Sequence, residues 1–221
     1  MGRLSTFHKG YVFRFIRGCQ SSIESTFFCG IIIAMRKPIV VGFDFDGVVA
    51  YNPARVIRYP VSYIKKHMLG IHRIIFFIPK NPIERALWSL AHESSMFPSF
   101  GATHLRNLVK DGVIEAHLVT SRFGFLEPNL HRFLHFWGLV DTFSSVTLNR
   151  NEEQPHLFKE RMIREKKFTY YVEDNWDIVS YLATKKLPTT IHWIYNVFDR
   201  NKQYPHKYPY LEKSLQAIRQ P

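Results

Sequence analysis

The sequence predicts an α/β fold: a parallel sheet covered by helices on both faces, with a mainly helical segment inserted just after the first strand. Three observations carry that prediction. Short β-branched runs alternate with helical stretches along most of the chain, polar and acidic residues stand where the apolar runs end, and the rhythm breaks over residues 51–100.

The run Ile39-Val40-Val41-Gly42-Phe43 suits a buried strand better than a helix, and it ends at Asp44. Pro60 and Gly70 bracket one helix. Asn81-Pro82-Ile83-Glu84 supplies an N-cap, a proline at the first helical position and a glutamate at the third for another. That second helix runs to about His92, with Ile83, Leu87 and Leu90 on one face. Next come a helix over 102–111 stopped by Gly112, a strand over 113–120, a helix over 128–137 ended by Gly138, and a strand over 145–148. A helix opening at Pro155 leads to a strand over 168–172, a helix over 175–185 and a strand over 190–195. Strands joined through helices imply right-handed crossovers and a parallel sheet.

Residues 1–34 stand apart. Arg3, Lys9, Arg14 and Arg17 precede the first acidic residue, Glu24, a composition that resembles a transit peptide. Met35-Arg36-Lys37-Pro38 directly precedes the first strand, so the reading adopted is a natural start at Met35 with residues 1–34 as an extension outside the fold. Residues 35–50 and 101–221 then form the core, and residues 51–100 the insertion.

The chain of 221 residues carries 30 Lys plus Arg against 18 Asp plus Glu, a formal charge of +12. That excess suits polyanions, acidic surfaces or phosphorylated small molecules without choosing among them. The apolar run from Phe27 to Met35 is far short of a membrane-spanning helix. Cys19 and Cys29 have no partners at disulfide-scaffold or zinc-site spacing, which fits a reducing, cytoplasmic setting.

Ligands of open parallel sheets bind beyond the carboxyl ends of the strands. Three such ends are polar here: Asp44-Phe45-Asp46-Gly47, Thr120-Ser121-Arg122, and Glu173-Asp174-Asn175-Trp176-Asp177. Carboxylates from two strand ends can share a hard divalent cation such as Mg²⁺. Gly47 permits a turn that brings Asp44 and Asp46 round one opening, where one could attack a phosphoryl group and the other move a proton. The hydroxyls of Thr120 and Ser121 and a lysine ammonium would hold phosphoryl oxygens.

The run Phe43-Asp44-Phe45-Asp46-Gly47-Val48-Val49 resembles the first motif of the haloacid dehalogenase (HAD) superfamily, Leu118-Val119-Thr120 its second, and Tyr171-Val172-Glu173-Asp174 its fourth. Lys159, near the start of a helix, is the best placed lysine for the third, whereas Lys166 and Lys167 face solvent. The resemblance implies a Rossmann-like core with Asp44 as nucleophile and Asp46 as general acid/base. Thr120 and Lys159 would lie on the phosphate, and Mg²⁺ would be held by Asp44, the Asp46 main-chain carbonyl and Asp174, with Glu173 as an outer or secondary ligand. An aspartate at Asp46 favours phosphatase-type members, with phosphomutases remaining possible, and the insertion sits where the helical C1 cap does. Glu173-Asp174, with Asn196 and Arg200, also resembles nucleotidase-like members.

The expected activity is therefore Mg²⁺-dependent removal of phosphate from a small phosphorylated metabolite through an aspartyl phosphate. The alternative from another class is a non-catalytic module whose basic surface binds nucleic acid or a protein. No membrane partner is expected, and nucleic acid is not the favoured partner although the +12 charge leaves room for it. Asp177 reads as a first-turn carboxylate facing the helix dipole. Arg122 reads equally as a substrate contact or a surface residue. Arg55, Arg58, Lys65, Lys66, Arg73, Lys80 and Arg85 against Glu84 give the insertion a bias that suits an anionic substrate. Trp88, Phe76 and Phe77 are expected to pack the insertion.

Overall fold

The structure, a computed structural model, describes residues 37–53 and 74–219. The readings made for residues 1–34, for the helix between Pro60 and Gly70, and for Arg55, Arg58, Lys65, Lys66 and Arg73 lie outside the described residues. The chain divides into Met1–Met35 and Arg36–Pro221, and everything described belongs to the second unit.

Six parallel strands form one sheet. They are β1 (Ile39–Phe43), β4 (Ile114–Phe123), β5 (Ser145–Asn149), β6 (Tyr170–Glu173), β7 (Thr190–Ile194) and β8 (Lys207–Tyr208), in the spatial order β5-β4-β1-β6-β7-β8. β2 (Ala50–Tyr51) and β3 (Phe97–Pro98) make a separate antiparallel pair at the two ends of the insertion. β1 is bonded on both sides, Phe43 facing Leu118 of β4 and Val172 of β6. From β1 the chain builds β4 and β5 to one side, then crosses to build β6, β7 and β8 on the other. The crevice at the carboxyl end of β1 is thus the switch point where such sheets bind ligands.

Alternation along the strands sorts the core into two layers. Val41, Phe43, Leu118 and Val172 pack on one face with Leu105 and Leu108 of α2 (Ala102–Lys110), Leu130 and Leu134 of α3 (Glu127–Phe136), and Leu211, Leu215 and Ile218 of α6 (Leu211–Arg219). Val119, Tyr171 and Trp193 pack on the other with Phe158, Met162 and Ile163 of α4 (Pro155–Lys166) and Ile178, Val179 and Leu182 of α5 (Trp176–Ala183). The α/β class, the parallel pairing and helices on both faces are as the sequence predicts.

α1 (Pro82–His92) has the anticipated capping box: Asn81 Oδ1 accepts from Glu84 N at 2.8 Å, and Glu84 Oε2 accepts from Asn81 N at 3.3 Å. Its apolar stripe is exposed, with Ile83, Leu87 and Leu90 at 74%, 63% and 70% of full accessibility. Of the insertion's aromatic residues, Trp88 packs on Phe77, while Phe76 leaves the insertion to lie against His156 of α4. Gln154 fastens Phe76 there, accepting from its N at 2.9 Å and donating to its O at 3.3 Å.

One strand end and two added elements differ most from the sequence reading. β4 continues past Thr120 through Ser121, Arg122 and Phe123, and its register against β5 shifts between Thr120 and Phe123. β8 and α6, beyond the last element read from the sequence, complete the sheet edge and one helical layer.

Candidate active site

The site begins with a main-chain turn. Asp44 N still donates to Val172 O at 2.9 Å, so the residue after β1 remains fixed to β6. The chain then folds back on itself: Val49 N and Ala50 N both donate to Phe45 O, and Gly47 N donates to Ala50 O at 2.8 Å. Phe45 is fully buried edge-on against Phe133, 5.0 Å between centroids, which anchors the turn. Gly47 has φ +86°, and a Cβ there would stand 2.1 Å from Asp174 Oδ2. Glycine is required twice over, by the left-handed backbone and by the carboxylate lying against it.

Lys159 reaches this turn from the second turn of α4. Only 1% exposed, it puts Nζ 2.9 Å from Asp44 Oδ2 and 2.5 Å from Glu173 Oε2. Glu173, fully buried at the end of β6, uses its other oxygen to accept from Asn175 N at 3.0 Å. Asn175 in turn caps α5 by accepting from Asp177 N at 3.0 Å, which places Asp177 in the first turn of that helix. Lys166 and Lys167 are exposed, as the sequence reading has them.

Asp44, Glu173 and Asp174 each offer a carboxylate oxygen within 4.8 Å of the others, all buried. Burial pushes the Asp44 carboxyl well above its usual range and the charge of Glu173 adds to this, while Lys159 opposes them. Burial also pulls the Lys159 ammonium down, but Asp44 and Glu173 outweigh it and the net displacement is upward. Three clustered carboxylates facing one ammonium form an oxygen-only donor set with surplus negative charge, which fits a hard divalent cation. The residues present therefore fit Mg²⁺.

Asp46 faces elsewhere. Arg122 grips its carboxylate side-on, Nε to Oδ2 at 2.8 Å and Nη2 to Oδ1 at 2.7 Å. Oδ1 also accepts from Ser95 Oγ at 2.6 Å and Asn52 Nδ2 at 3.4 Å. Burial raises the Asp46 carboxyl, yet the Arg122 charge and hydrogen bonds win and hold it far below the carboxylate range. The surface reading of Arg122 is corrected: it is buried at 4% exposure, and its Nε and Nη2 donate to Asp46. Ser95 and Asn52 were not singled out from the sequence at all, since short polar residues in loops carry no signal of a long-range contact.

Thr120 is buried at the end of the regular part of β4, its Oγ1 accepting from Arg122 N at 3.2 Å. Ser121 Oγ is buried with no hydrogen-bond partner among the described residues. Asn196 is taken up locally, accepting from Phe198 N at 2.7 Å.

Solved structures share the arrangement of this sheet and its helices. The HAD-hydrolase YfnB from Bacillus subtilis, described as bound to magnesium, superposes with a TM-score of 0.53 at 10% identity over 83% of this chain and 99% of that one. A family IA, variant 3 HAD hydrolase from Entamoeba histolytica gives 0.53 at 13% identity, covering 83% and 100%. The chain has the haloacid dehalogenase fold. A haloacid dehalogenase-like hydrolase from Bacteroides fragilis gives 0.50 at 13% identity, covering 80% and 99%. No family model and no curated protein matches the sequence. Within the HAD fold, the acidic turn after β1 and the Glu173-Asp174 pair at the end of β6 lie at the carboxyl ends of neighbouring strands.

Proposed function

We propose that this protein is a Mg²⁺-dependent phosphohydrolase that removes phosphate from a small phosphorylated metabolite. The observation that carries the reading is Asp44, a buried carboxylate at the switch point of the sheet, held at 2.9 Å by a buried lysine and grouped with Glu173 and Asp174. A carboxylate so fixed can act as a nucleophile towards phosphorus, and phosphoryl transfer depends mostly on positioning and charge compensation. Asp44, Asp174 and the Asp46 main-chain carbonyl would hold the metal, with Glu173 behind them. Bound there, Mg²⁺ would neutralise charge on the phosphoryl oxygens.

The protein's own groups divide the remaining tasks. Lys159 keeps Asp44 oriented and adds positive charge beside the transferring group. Thr120 and the unpartnered hydroxyl of Ser121 offer donors to phosphoryl oxygens. Asp46, held as a carboxylate, is ready to accept a proton from the water that hydrolyses an aspartyl phosphate, and in the first step it would relay to the leaving oxygen the proton that a phosphate monoester monoanion brings with it. The residues of the insertion supply discrimination between leaving groups.

The test is a panel of phosphorylated metabolites assayed for phosphate release with and without Mg²⁺ and chelator. Chelator-sensitive release that disappears in Asp44→Asn is expected. Release that survives both would overturn the reading.

A further inference from the structure

Arg122 is too well engaged for a residue at the edge of a binding crevice. Nη2 donates to Asp46 Oδ1 at 2.7 Å and to the main-chain carbonyl of His92 at 3.2 Å, while Nε donates to Asp46 Oδ2 at 2.8 Å. The guanidinium also lies over the Phe45 ring, 4.6 Å from its centroid, and that ring is locked in the core against Phe133. One flat cation is thus fixed by a side-on pair, a carbonyl and an aromatic face, a combination a lysine cannot reproduce. It stands on β4 where the register to β5 shifts, the kind of irregularity that re-aims a side chain.

The contacts also cross between distant parts of the chain. Asp46 belongs to the turn after β1 and Arg122 to β4, but His92 ends α1, and Ser95, which donates to Asp46 at 2.6 Å, lies on the return from that helix towards β3.

We propose that Arg122 is a positioning residue for Asp46: it sets where the carboxylate stands in the crevice and, together with Ser95 and the His92 carbonyl, makes that placement depend on the segment returning from α1. The inference rests on the phosphohydrolase reading and goes beyond it, because it gives a role to a residue outside the acidic motifs. Arg122 acts through Asp46 and does not touch the phosphoryl group.

The experiment compares two substrates under Mg²⁺: an alkyl phosphate, whose leaving group needs a proton, and p-nitrophenyl phosphate, whose leaving group departs without one. Arg122→Met is expected to lower kcat on the alkyl phosphate about 100-fold, the scale of a misplaced reacting group, and on the aryl phosphate by less than about fivefold. Arg122→Lys keeps the charge without the side-on grip and should show the same split at about tenfold. Ser95→Ala removes the link to the return segment without stranding a charge, and should show the split more weakly.

Equal slowing of both substrates in every variant that folds would make Arg122 merely structural and overturn the proposal, as would no slowing at all. Should Arg122→Met fail to fold, Arg122→Lys and Ser95→Ala decide. A wild-type protein without metal-dependent turnover overturns the phosphohydrolase reading, and this inference falls with it. Wild-type turnover abolished by Asp44→Asn, combined with uniform slowing in the Arg122 variants, overturns this inference alone.

Discussion

Asp44 and Asp46 are next-but-one neighbours on one turn, both buried, and their surroundings push them in opposite directions. On the β6 side, burial drives the Asp44 carboxyl up, and the charges of Glu173 and Asp174 add to this against the single lysine that Asp44 shares with Glu173. On the β4 side, Asp46 accepts two hydrogen bonds from the Arg122 guanidinium and one each from Ser95 and Asn52, and despite burial its carboxyl is driven down. The difference teaches that the two halves of the crevice do different work. One is an electrostatic deficit that a cation would fill, and the other is already neutral and geometrically complete.

The largest test of this contrast is Asp44→Asn. It should cut turnover by about 10⁴-fold or more, measured as phosphate release. The same variant should melt at a higher temperature than the wild type in chelator, because it removes one charge from a crowded buried cluster. Its advantage should grow as pH rises above about 4, where an unfolded aspartate ionises but the folded one resists.

Asp46→Asn should do the reverse. Leaving Arg122 buried without its carboxylate should cost about 3 kcal/mol in chemical denaturation. Since this carboxyl is held below its ordinary range, the wild type's advantage should be complete above about pH 4 and shrink as pH falls below it. Difference curves of the same sign for the two variants would break the comparison.

Gly47→Ala sharpens the β6 side alone. The new Cβ would collide with the Asp174 carboxylate and strain a left-handed residue, at a cost of about 1 to 3 kcal/mol. Half-maximal activity should need more Mg²⁺, read from a metal titration. The smallest effect belongs to the exposed pair of Arg85 with Glu152, 3.0 Å apart. Arg85→Ala should change stability by about 0.5 kcal/mol or less, which calibrates how much burial amplifies the charged contacts of the site.

Much of this arrangement was legible because it is local. The Asn81-Pro82-Ile83-Glu84 cap, the glycine stops at Gly112 and Gly138 (φ +70° and +62°), and the acidic residues following β1 and β6 each announce themselves within a few positions. Lys159 was legible at one remove, through its place early in a helix. Arg122 reads from the sequence as open between substrate and surface because the apolar run ends at Thr120. Had β4 been continued, period-two alternation would have put Arg122 on the face of Thr120, towards the crevice. Leu211, Leu215 and Ile218 repeat at helical spacing and announce α6, but the sequence reading stops short of them. Ser95 and Asn52 were beyond reach, since only the closed fold brings them to Asp46.

The position of β1 has a mechanical consequence. The strand lies inside the sheet, bonded on both edges as β4, β6 and β7 are, with helical layers above and below, so it should be among the last strands to release their amides to exchange, whereas β5 and β8 at the margins should open earlier. Asp44 is tied to this interior by the hydrogen bond its own N donates to Val172 O, so the sheet can breathe at its borders while the carboxylate proposed to meet phosphorus keeps its place.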